Sequence, residues 1–169
     1  MIQIYCGEGK GKTSAAAGAA IRAAGQGLQV YFIQFMKGNE SGEITILEKL
    51  EGITVKRLRK EYPFYKDMNA QEREAITKEH NELLNGLMEI DDDENTMMIL
   101  DELTYPVKYH LINEEAVRRF LKEKRKTELI ITGRDPWEEV LNMASCITEC
   151  KKIRHHFDQG IPARRGIEY

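Results

Sequence analysis

The residues best suited to chemistry lie near the start of the chain, in the stretch YCGEGKGKTSAAA from Tyr5 to Ala17. Closely spaced glycines let main-chain N–H groups turn toward an anion, a lysine adds positive charge, and a threonine hydroxyl can bind Mg²⁺. These residue types predict a loop that binds the phosphates of a nucleotide. The candidate nucleotide-binding residues are Gly7, Glu8, Gly9, Lys10, Gly11, Lys12, Thr13 and Ser14.

This loop misses the strict Walker A pattern, G-x-x-x-x-G-K-[ST], by one position. Cys6 stands where the first glycine belongs, and Gly7 follows it. A helix predicted to begin near Lys12 points its positive end at the same place, which favours phosphate binding despite the miss. A plain turn between a strand and a helix accounts for one glycine, but not for three followed by Lys-Thr.

Two acidic residues, Asp101 and Glu102, follow the apolar run MMIL. This is the Walker B position, where a carboxylate holds Mg²⁺ directly or through water. The candidate metal ligands are therefore Thr13, Asp101 and Glu102, and the sequence leaves open which carboxylate contacts the metal directly.

Arg134 follows another apolar run, LIIT, and a glycine. Its guanidinium can neutralise phosphate charge, or it can form a surface ion pair, and we favour the first. With Lys12, Thr13 and Glu102, Arg134 completes the set of candidate catalytic residues.

Five short apolar runs recur along the chain, and a sixth is less pronounced. They are Ile2–Cys6, Leu28–Met36, Ile53–Leu58, Met97–Leu100, Leu129–Thr132 and, as the weaker sixth, Ser145–Cys150. Segments with helical spacing lie between them. This alternation predicts a mostly parallel sheet of about six strands with helices on both faces. Together with the glycine loop, it favours a three-layer α/β/α fold of the RecA-like P-loop kind. Ligands of such sheets bind beyond the carboxyl ends of the strands, so the glycine loop, Asp101–Glu102 and Arg134 should share one rim.

Several helices carry start signals or apolar faces. Alanines from Ala16 to Ala23 share a face after the glycine loop, and Ile76 to Met88 form the longest helical segment. Asn113 is a predicted N-cap, and Asp135 is another, with Pro136 in the first helical position. The stretch Arg59–Asn69 reads as neither helix nor strand, and we expect it to be a mobile loop.

The bulk composition narrows the class of protein. A chain of 169 residues fits one domain, which we expect to span residues 1–169. A net charge of −3 argues against a dedicated nucleic-acid-binding protein. The sequence has neither the basic start of a signal peptide nor a long apolar span, so we expect a cytoplasmic protein that does not associate with membranes.

The chain resembles the P-loop ATP:corrinoid adenosyltransferases, of the cob(I)yrinic acid a,c-diamide adenosyltransferase type. The resemblance rests on motifs in order along nearly the whole chain: GEGKGKTSAAAGAAIRAAGQG, QFMKG, LDELTYPV, IITGR and the tail HHFDQGIPARRGIEY. The family loop also lacks the first Walker glycine, so the missed position agrees with the resemblance.

The resemblance implies a specific reaction. Enzymes of this family transfer the 5′-deoxyadenosyl group of ATP to Co(I) of cobalamin or another corrinoid and release triphosphate, which implies ATP, Mg²⁺ and a corrinoid as ligands. It also implies that Thr13 and Glu102 bind Mg²⁺, with Asp101 in support. A reduced flavoprotein as electron donor and a homodimer follow from the family as expectations.

The resemblance further implies aromatic side chains that displace the lower axial ligand of the corrinoid. The candidates are Tyr62, Phe64 and Tyr65, although the better-known family pattern is Phe-x-Trp and Trp137 lies elsewhere. These aromatics could instead anchor the loop to the core.

Two other functions compete with adenosyl transfer. One is a RecA-like ATPase or switch that releases ADP and phosphate, although no residue is evidently placed to activate water. The other is a carrier that binds a corrinoid or nucleotide without reaction.

Overall fold

A computed structural model describes residues 1–39 and 41–167 of the chain. In these residues, six strands form one sheet in the order β3-β2-β4-β5-β1-β6, and every neighbouring pair is parallel. The strands are β1 (Ile2–Cys6), β2 (Gln29–Gln34), β3 (Ile53–Arg57), β4 (Thr96–Asp101), β5 (Glu128–Thr132) and β6 (Cys146–Glu149). The predicted α/β fold class is confirmed, as is the weakly indicated sixth strand, and the arrangement is consistent with a P-loop fold.

Helices cover both faces of the sheet, as the alternating pattern predicts. Within the described residues they are α1 (Lys12–Gly25), α2 (Gly42–Leu47), α3 (Ala70–Met88), α4 (Thr104–Lys108), α5 (Glu114–Glu123) and α6 (Glu138–Met143). Helices α1 and α2 bury one apolar cluster against the sheet, and α3 to α6 contribute to the cluster on the other face. Among the described residues, no helix is both long enough and apolar enough to cross a bilayer.

The central strands are buried because both of their faces are covered. In β1 and β5, Ile4 and Ile131 are register partners, and neither is exposed to solvent. On α1, the small side chains of Ala16, Ala20 and Ala23 are buried. Small residues let the helix axis approach the sheet closely, so the start of α1 is held rigidly beside the end of β1.

The parallel sheet places the carboxyl ends of all its strands at one edge. The glycine loop follows β1, Asp101 ends β4 with Glu102 directly after it, and Gly133–Arg134 follow β5. These are the neighbouring positions at which a parallel sheet binds its ligand. The predicted common rim is therefore the observed arrangement.

Two helix caps were predicted, and one is correct. The Asn113 side chain accepts a hydrogen bond of 3.0 Å from the N–H of Ala116 and caps α5. The prediction for Asp135 is wrong, because α6 begins at Glu138 with Trp137 in the N-cap position. The Asp135 carboxylate instead pairs with the Lys108 ammonium at 2.6 Å, and this ion pair takes the oxygen that would have capped the helix.

The segment predicted as a mobile loop contains a short 3₁₀ turn, Tyr65–Asp67, and several anchoring contacts. The N–H of Arg59 donates to the Glu79 carboxylate at 2.8 Å. At the end of the loop, Asn69 forms a capping box with Glu72 and begins α3. The loop is thus tied at both ends to the longest helix.

Candidate active site

The glycine loop is fixed by the strands that end beside it. Gly7 and Gly11 have φ angles of 96° and 109°, values that residues with a side chain rarely adopt. The N–H of Gly7 donates to the Arg134 carbonyl at 3.2 Å, and the N–H of Gly9 donates to the Cys150 carbonyl at 2.6 Å. We expected the N–H groups of the closely spaced glycines to turn toward an anion, but those of Gly7 and Gly9 already donate to main-chain carbonyls. The ends of β5 and β6 lie within reach and engage two of those amides.

The start of α1 supplies the amides that remain for an anion. The first N–H groups of any helix have no partner within the helix, and the helix dipole makes that end positive. The Ala15 N–H is the first to bond back, to the Gly11 carbonyl at 2.8 Å. The amides of Lys12, Thr13 and Ser14 are therefore the ones at the positive end of the helix.

The Lys12 side chain lies folded into this loop. Its ammonium donates to the carbonyl oxygens of Gly7 and Gly9, both at 2.7 Å, and the residue is buried. A full positive charge is thus held at the centre of the glycine loop, where the residue types predict phosphate.

Asp101 forms the hydrogen-bonded centre of the rim and is completely buried. Its Oδ1 accepts the Thr13 hydroxyl at 2.9 Å and the Thr132 hydroxyl at 2.6 Å. Its Oδ2 accepts from the Gln34 amide at 3.3 Å. Asp101 therefore joins the loop helix α1 to the ends of β2, β4 and β5.

Glu102 is held in an unusual backbone conformation. Its φ angle is 62°, which costs a residue with a side chain about 1–2 kcal/mol, and its N–H donates to the Thr132 hydroxyl at 2.9 Å. Burial raises the pKa of the Glu102 carboxyl, and the positive charges of Lys37 and Lys12 partly offset this effect. Backbone strain of this kind is concentrated at functional sites.

The side chains at this point fit a divalent cation. Glu102 Oε2 is buried and has no hydrogen-bond partner among residues 1–39 and 41–167. A buried, unsatisfied carboxylate oxygen is unfavourable unless a ligand completes it. The same residues contain no cluster of three or more His, Cys, Asp or Glu side chains suited to a metal. Mg²⁺ is commonly bound by one or two carboxylates together with substrate phosphates, and Thr13, Asp101 and Glu102 are compatible with that mode.

Arg134 lies on the rim, as predicted, and pairs there with the glycine loop. Its guanidinium is 2.9 Å from the Glu8 carboxylate, and about half of each side chain is exposed. An exposed ion pair of this kind contributes little stability, so an incoming anion can recruit the arginine. Both alternatives considered for Arg134 remain compatible with this contact.

Gly133 is required by close packing at the rim. Its φ angle is 151°, and an added Cβ would lie 1.9 Å from the Thr104 Oγ1 atom. Thr104 is buried and β-branched, so it has little room to move. We expect Gly133→Ala to lower the free energy of unfolding by about 3–5 kcal/mol, from overpacking together with backbone strain, as measured by urea denaturation.

Gly18→Ala is the matched control for this glycine substitution. Gly18 lies on the exposed side of α1, and an added Cβ there meets no atom within 4 Å among the described residues. Alanine is the better helix former, so we expect a gain of about 0.5–1 kcal/mol. A Gly133→Ala variant as stable as the parent protein would contradict the packing argument.

The three predicted corrinoid-binding aromatics have different environments. The Tyr62 hydroxyl donates to the Glu79 carboxylate at 2.8 Å, and burial together with this carboxylate raises the pKa of Tyr62 to about 12. Tyr65 stacks on Tyr109 with ring centroids 4.1 Å apart. Phe64, in contrast, is 80% exposed. Two of the three rings are thus engaged in anchoring the loop, and Phe64 is the one presented to solvent.

A row of tyrosines connects this loop to the rim. Tyr109 stacks on Tyr65 and also on Tyr105, at a centroid distance of 6.0 Å from the latter. Burial raises the pKa of Tyr105 to about 12, and the nearby Glu102 carboxylate adds to the shift. The stacked rings therefore link the aromatic loop to Tyr105, which lies near Glu102.

Sequence reasoning did not single out Lys37, which lies beside the acidic pair. The Lys37 ammonium is 3.4 Å from Asp101 Oδ2 and 3.5 Å from Glu102 Oε1. Burial would lower the pKa of Lys37, but these two carboxylates raise it on balance. The motif QFMKG pointed to this segment, and the position of Lys37 just beyond β2 was the available signal.

His80 is completely buried on α3 and bonds through both ring nitrogens. Its Nε2 accepts the N–H of Met36 at 3.1 Å, and its Nδ1 donates to the Leu111 carbonyl at 2.9 Å. Burial lowers the pKa of His80 to about 4, so the ring is neutral at pH 7. The histidine thus fixes the turn that carries Lys37.

The neutral state of His80 predicts a pH-dependent stability. Because the folded-state pKa of about 4 lies below the unfolded value of 6.5, its contribution is complete above pH 6.5 and declines as pH falls toward 4. Between pH 7 and pH 4.5 we expect protonation of His80 in the unfolded chain to lower the free energy of unfolding by about 2–3 kcal/mol. Urea denaturation at the two pH values measures this change.

His80→Gln provides the comparison, because glutamine can still accept the Met36 N–H but does not titrate. We expect its stability to fall less between these pH values than that of the parent protein. His110→Gln, at an exposed histidine that pairs with Glu114 at 2.6 Å, is the matched control, and it should keep the loss of stability below pH 6.5 that we assign to His80. Equal pH profiles for the parent protein and His80→Gln would refute this assignment.

The C-terminal segment returns to the glycine loop. The Lys10 ammonium donates to the Ile167 carbonyl at 2.9 Å. The last two residues of the predicted tail motif, Glu168 and Tyr169, lie outside the described residues.

Comparisons with known proteins bear on the whole chain. A family model described as ATP:corrinoid adenosyltransferase BtuR/CobO/CobP matches residues 1–169. The corrinoid adenosyltransferase of Escherichia coli strain K12 is 35% identical over 172 residues, covering 100% of this chain and 85% of that protein. Corrinoid adenosyltransferase CobA of Salmonella typhimurium is also 35% identical over 172 residues, with 85% of its length covered. A corrinoid adenosyltransferase of a Sinorhizobium species is 32% identical over 173 residues, covering 100% of this chain and 80% of that protein.

These matches extend over the glycine loop, the acidic pair after β4 and the arginine after β5, which the fold brings to one rim. The chain therefore belongs to the ATP:corrinoid adenosyltransferase family.

Proposed function

We propose that this protein transfers the 5′-deoxyadenosyl group of ATP to the cobalt of a corrinoid and releases triphosphate. The observation that carries the proposal is the full-length family match in a chain that assembles Lys12, Thr13, Asp101 and Glu102 on one rim. The residues 1–169 then act as a single nucleotide- and corrinoid-binding domain.

The cobalt of the substrate, in the Co(I) state, is the nucleophile. Its electron pair forms the bond to C5′ of the ribose, and the C5′–O bond breaks with its electrons passing to the departing triphosphate. No nucleophilic side chain is needed for this step. The protein contributes by positioning the reactants and by stabilising the charge that develops on the leaving group.

Charge stabilisation is the task of the glycine loop and its neighbours. Lys12 moves from the carbonyls of Gly7 and Gly9 to the phosphates, and the amides at the start of α1 donate to the same oxygens. Arg134 leaves its exposed contact with Glu8 and adds a second positive charge. These interactions strengthen as the triphosphate departs, so they favour the transition state over bound ATP.

Mg²⁺ is proposed to be held by Thr13 and Glu102, with Asp101 in support. The unsatisfied Glu102 Oε2 atom supports this assignment. When bound, the ion neutralises phosphate charge. Asp101 keeps the Thr13 hydroxyl in position through their 2.9 Å hydrogen bond.

Phe64 is proposed to contact the lower face of the corrinoid. Tyr62 and Tyr65 hold the loop through Glu79 and Tyr109, which leaves Phe64 free to cover an apolar surface. An aromatic ring there excludes an axial donor, and loss of that donor makes the cobalt easier to reduce.

The partners implied by the family complete the proposal. A reduced flavoprotein supplies the electron to the bound corrinoid, and the protein acts in the cytoplasm as a homodimer. Three apolar side chains near the C-terminus are exposed: Ile147, Ile153 and Phe157. Their exposure supports burial against the second subunit of the proposed homodimer.

Product analysis tests the proposed function. The protein is incubated with ATP, Mg²⁺ and chemically reduced cobalamin, and we expect inorganic triphosphate together with the absorbance change of alkylated cobalt. ADP and phosphate with no change in the corrin spectrum would instead identify an ATPase. A protein that binds both ligands but forms no product would be a carrier.

A further inference from the structure

Lys37 occupies a position that the proposed reaction does not yet explain. Its ammonium lies 3.4 Å from Asp101 Oδ2 and 3.5 Å from Glu102 Oε1, between the two carboxylates proposed to hold the metal. Lys12, the other lysine of the rim, is engaged instead with the carbonyls of Gly7 and Gly9. Within the described part of the chain, Lys37 is therefore the cation that ion-pairs with the acidic residues.

The turn after β2 aims Lys37 at these carboxylates. Met36, directly before it, has a φ angle of 61°, a conformation that costs a side-chain-bearing residue free energy. The Met36 N–H is held by the buried His80 ring, which the Leu111 carbonyl fixes in turn. On the other side, Gly38 packs so closely on the Lys60 backbone that an added Cβ would lie 2.0 Å from its carbonyl oxygen. This strained turn is therefore fixed at both ends.

The ammonium balances the carboxylates without completing their bonding. Its two contacts are longer than the 2.6 Å bond from Thr132 to Asp101, and Glu102 Oε2 has no partner among the described residues. Part of the Lys37 side chain is open to solvent. A flexible, partly exposed lysine can leave such a position when a better cation arrives.

We propose that Lys37 is the counter-ion of the metal site in the nucleotide-free protein, and that a divalent cation displaces its ammonium on entering. This inference rests on the metal site of the proposed function. Two adjacent carboxylates, that of Asp101 fully buried and that of Glu102 17% exposed, repel each other, so a resident positive charge stabilises the empty site. The same charge opposes binding of a free metal ion, which favours entry of the metal together with nucleotide phosphates.

Binding of Mn²⁺ in the absence of nucleotide tests this role without any measurement of activity. The loss of the electron paramagnetic resonance signal of free Mn²⁺ reports how much of the ion is bound. Lys37→Met removes the competing ammonium, and we expect it to bind Mn²⁺ about tenfold more tightly than the parent protein. Lys37→Arg retains a cation and should bind Mn²⁺ as the parent protein does. Circular dichroism spectra and thermal melts establish that each variant is folded.

Lys108→Met is the matched control, because Lys108 also pairs with a carboxylate, that of Asp135 at 2.6 Å, but not with the acidic pair. We expect it to leave Mn²⁺ affinity unchanged. Glu102→Gln should weaken Mn²⁺ binding at least tenfold, since it removes a proposed ligand.

The outcomes separate the two proposals. If Glu102→Gln weakens Mn²⁺ binding while Lys37→Met leaves it unchanged or weaker, the counter-ion role is overturned and the metal site stands. If Glu102→Gln has no effect, the proposed metal site is itself wrong, and the counter-ion role fails with it.

Discussion

Replacing Lys12 with methionine is expected to lower kcat/KM for adenosyl transfer by about 10²–10³-fold, the usual effect of removing one pre-positioned group that stabilises a developing anion. The ammonium is already held at the centre of the glycine loop by two hydrogen bonds of 2.7 Å. To bind the triphosphate it exchanges these two carbonyl contacts for phosphate oxygens, which is a movement of the side chain within the loop. Steady-state rates of alkylated-cobalt formation measure the effect.

Binding of inorganic triphosphate distinguishes the charge effect from a loss of folding. Lys12 also closes the loop internally, so a structural defect would appear in the thermal melt. If Lys12→Met melts near the parental temperature and binds triphosphate more weakly, the loss belongs to the missing charge. Lys108→Met, at an exposed lysine outside the glycine loop, should retain full activity. Unchanged turnover of Lys12→Met would remove Lys12 from the proposed mechanism.

The rim could be predicted from sequence because few residues determine it. Unbroken apolar runs such as that of β5 indicate strands covered on both faces, and alternation with helices requires them to be parallel. Once the strands are parallel, the residue after each one must lie at the same edge. This rule places the glycine loop, Asp101 and Arg134 at one edge, and the Walker A pattern then identifies Lys12 within the loop.

The remaining features depend on tertiary contacts that local patterns do not encode. Helix α2 has six residues, too few for a helical period to emerge. Lys37 reaches the acidic pair through a residue with positive φ, Met36, and no glycine marks that position. Asp135 carries a good capping signal, but a lysine 27 residues away takes its carboxylate.

The glycine loop illustrates the same limit at closer range. Its residue types correctly indicate a tight turn, and the φ angles of Gly7 and Gly11 require glycine or incur strain. Which main-chain amides of the loop face a ligand depends on the residues that follow the neighbouring strands β5 and β6. The carbonyl of Cys150 lies close enough to engage Gly9 only because β6 pairs with β1, more than a hundred residues along the chain.

Phe64→Ala is expected to slow the reaction about tenfold to a hundredfold when a flavoprotein must reduce Co(II)corrinoid on the enzyme. This corresponds to about 1.5–3 kcal/mol, the value of burying a phenylalanine side chain, which the ring gains only against a lower face that has lost its axial donor, so the loss falls on the reduction step. Without the ring, an axial donor can occupy the lower face of the corrinoid, and reduction becomes harder. The absorbance spectrum of enzyme-bound Co(II)corrinoid should then show the ligand retained.

The same variant supplied with chemically prepared Co(I) provides the sharpest control, because reduction is no longer required. We expect its rate to stay close to that of the parent protein, since Lys12, Thr13 and Glu102 are untouched. Phe64→Trp keeps an aromatic face and should restore the flavoprotein-dependent rate. If Phe64→Ala slows both assays equally, Phe64 only positions the corrinoid. If it slows neither, the exposed ring has no part in the reaction, and the roles of Tyr62 and Tyr65 in the loop must be tested instead.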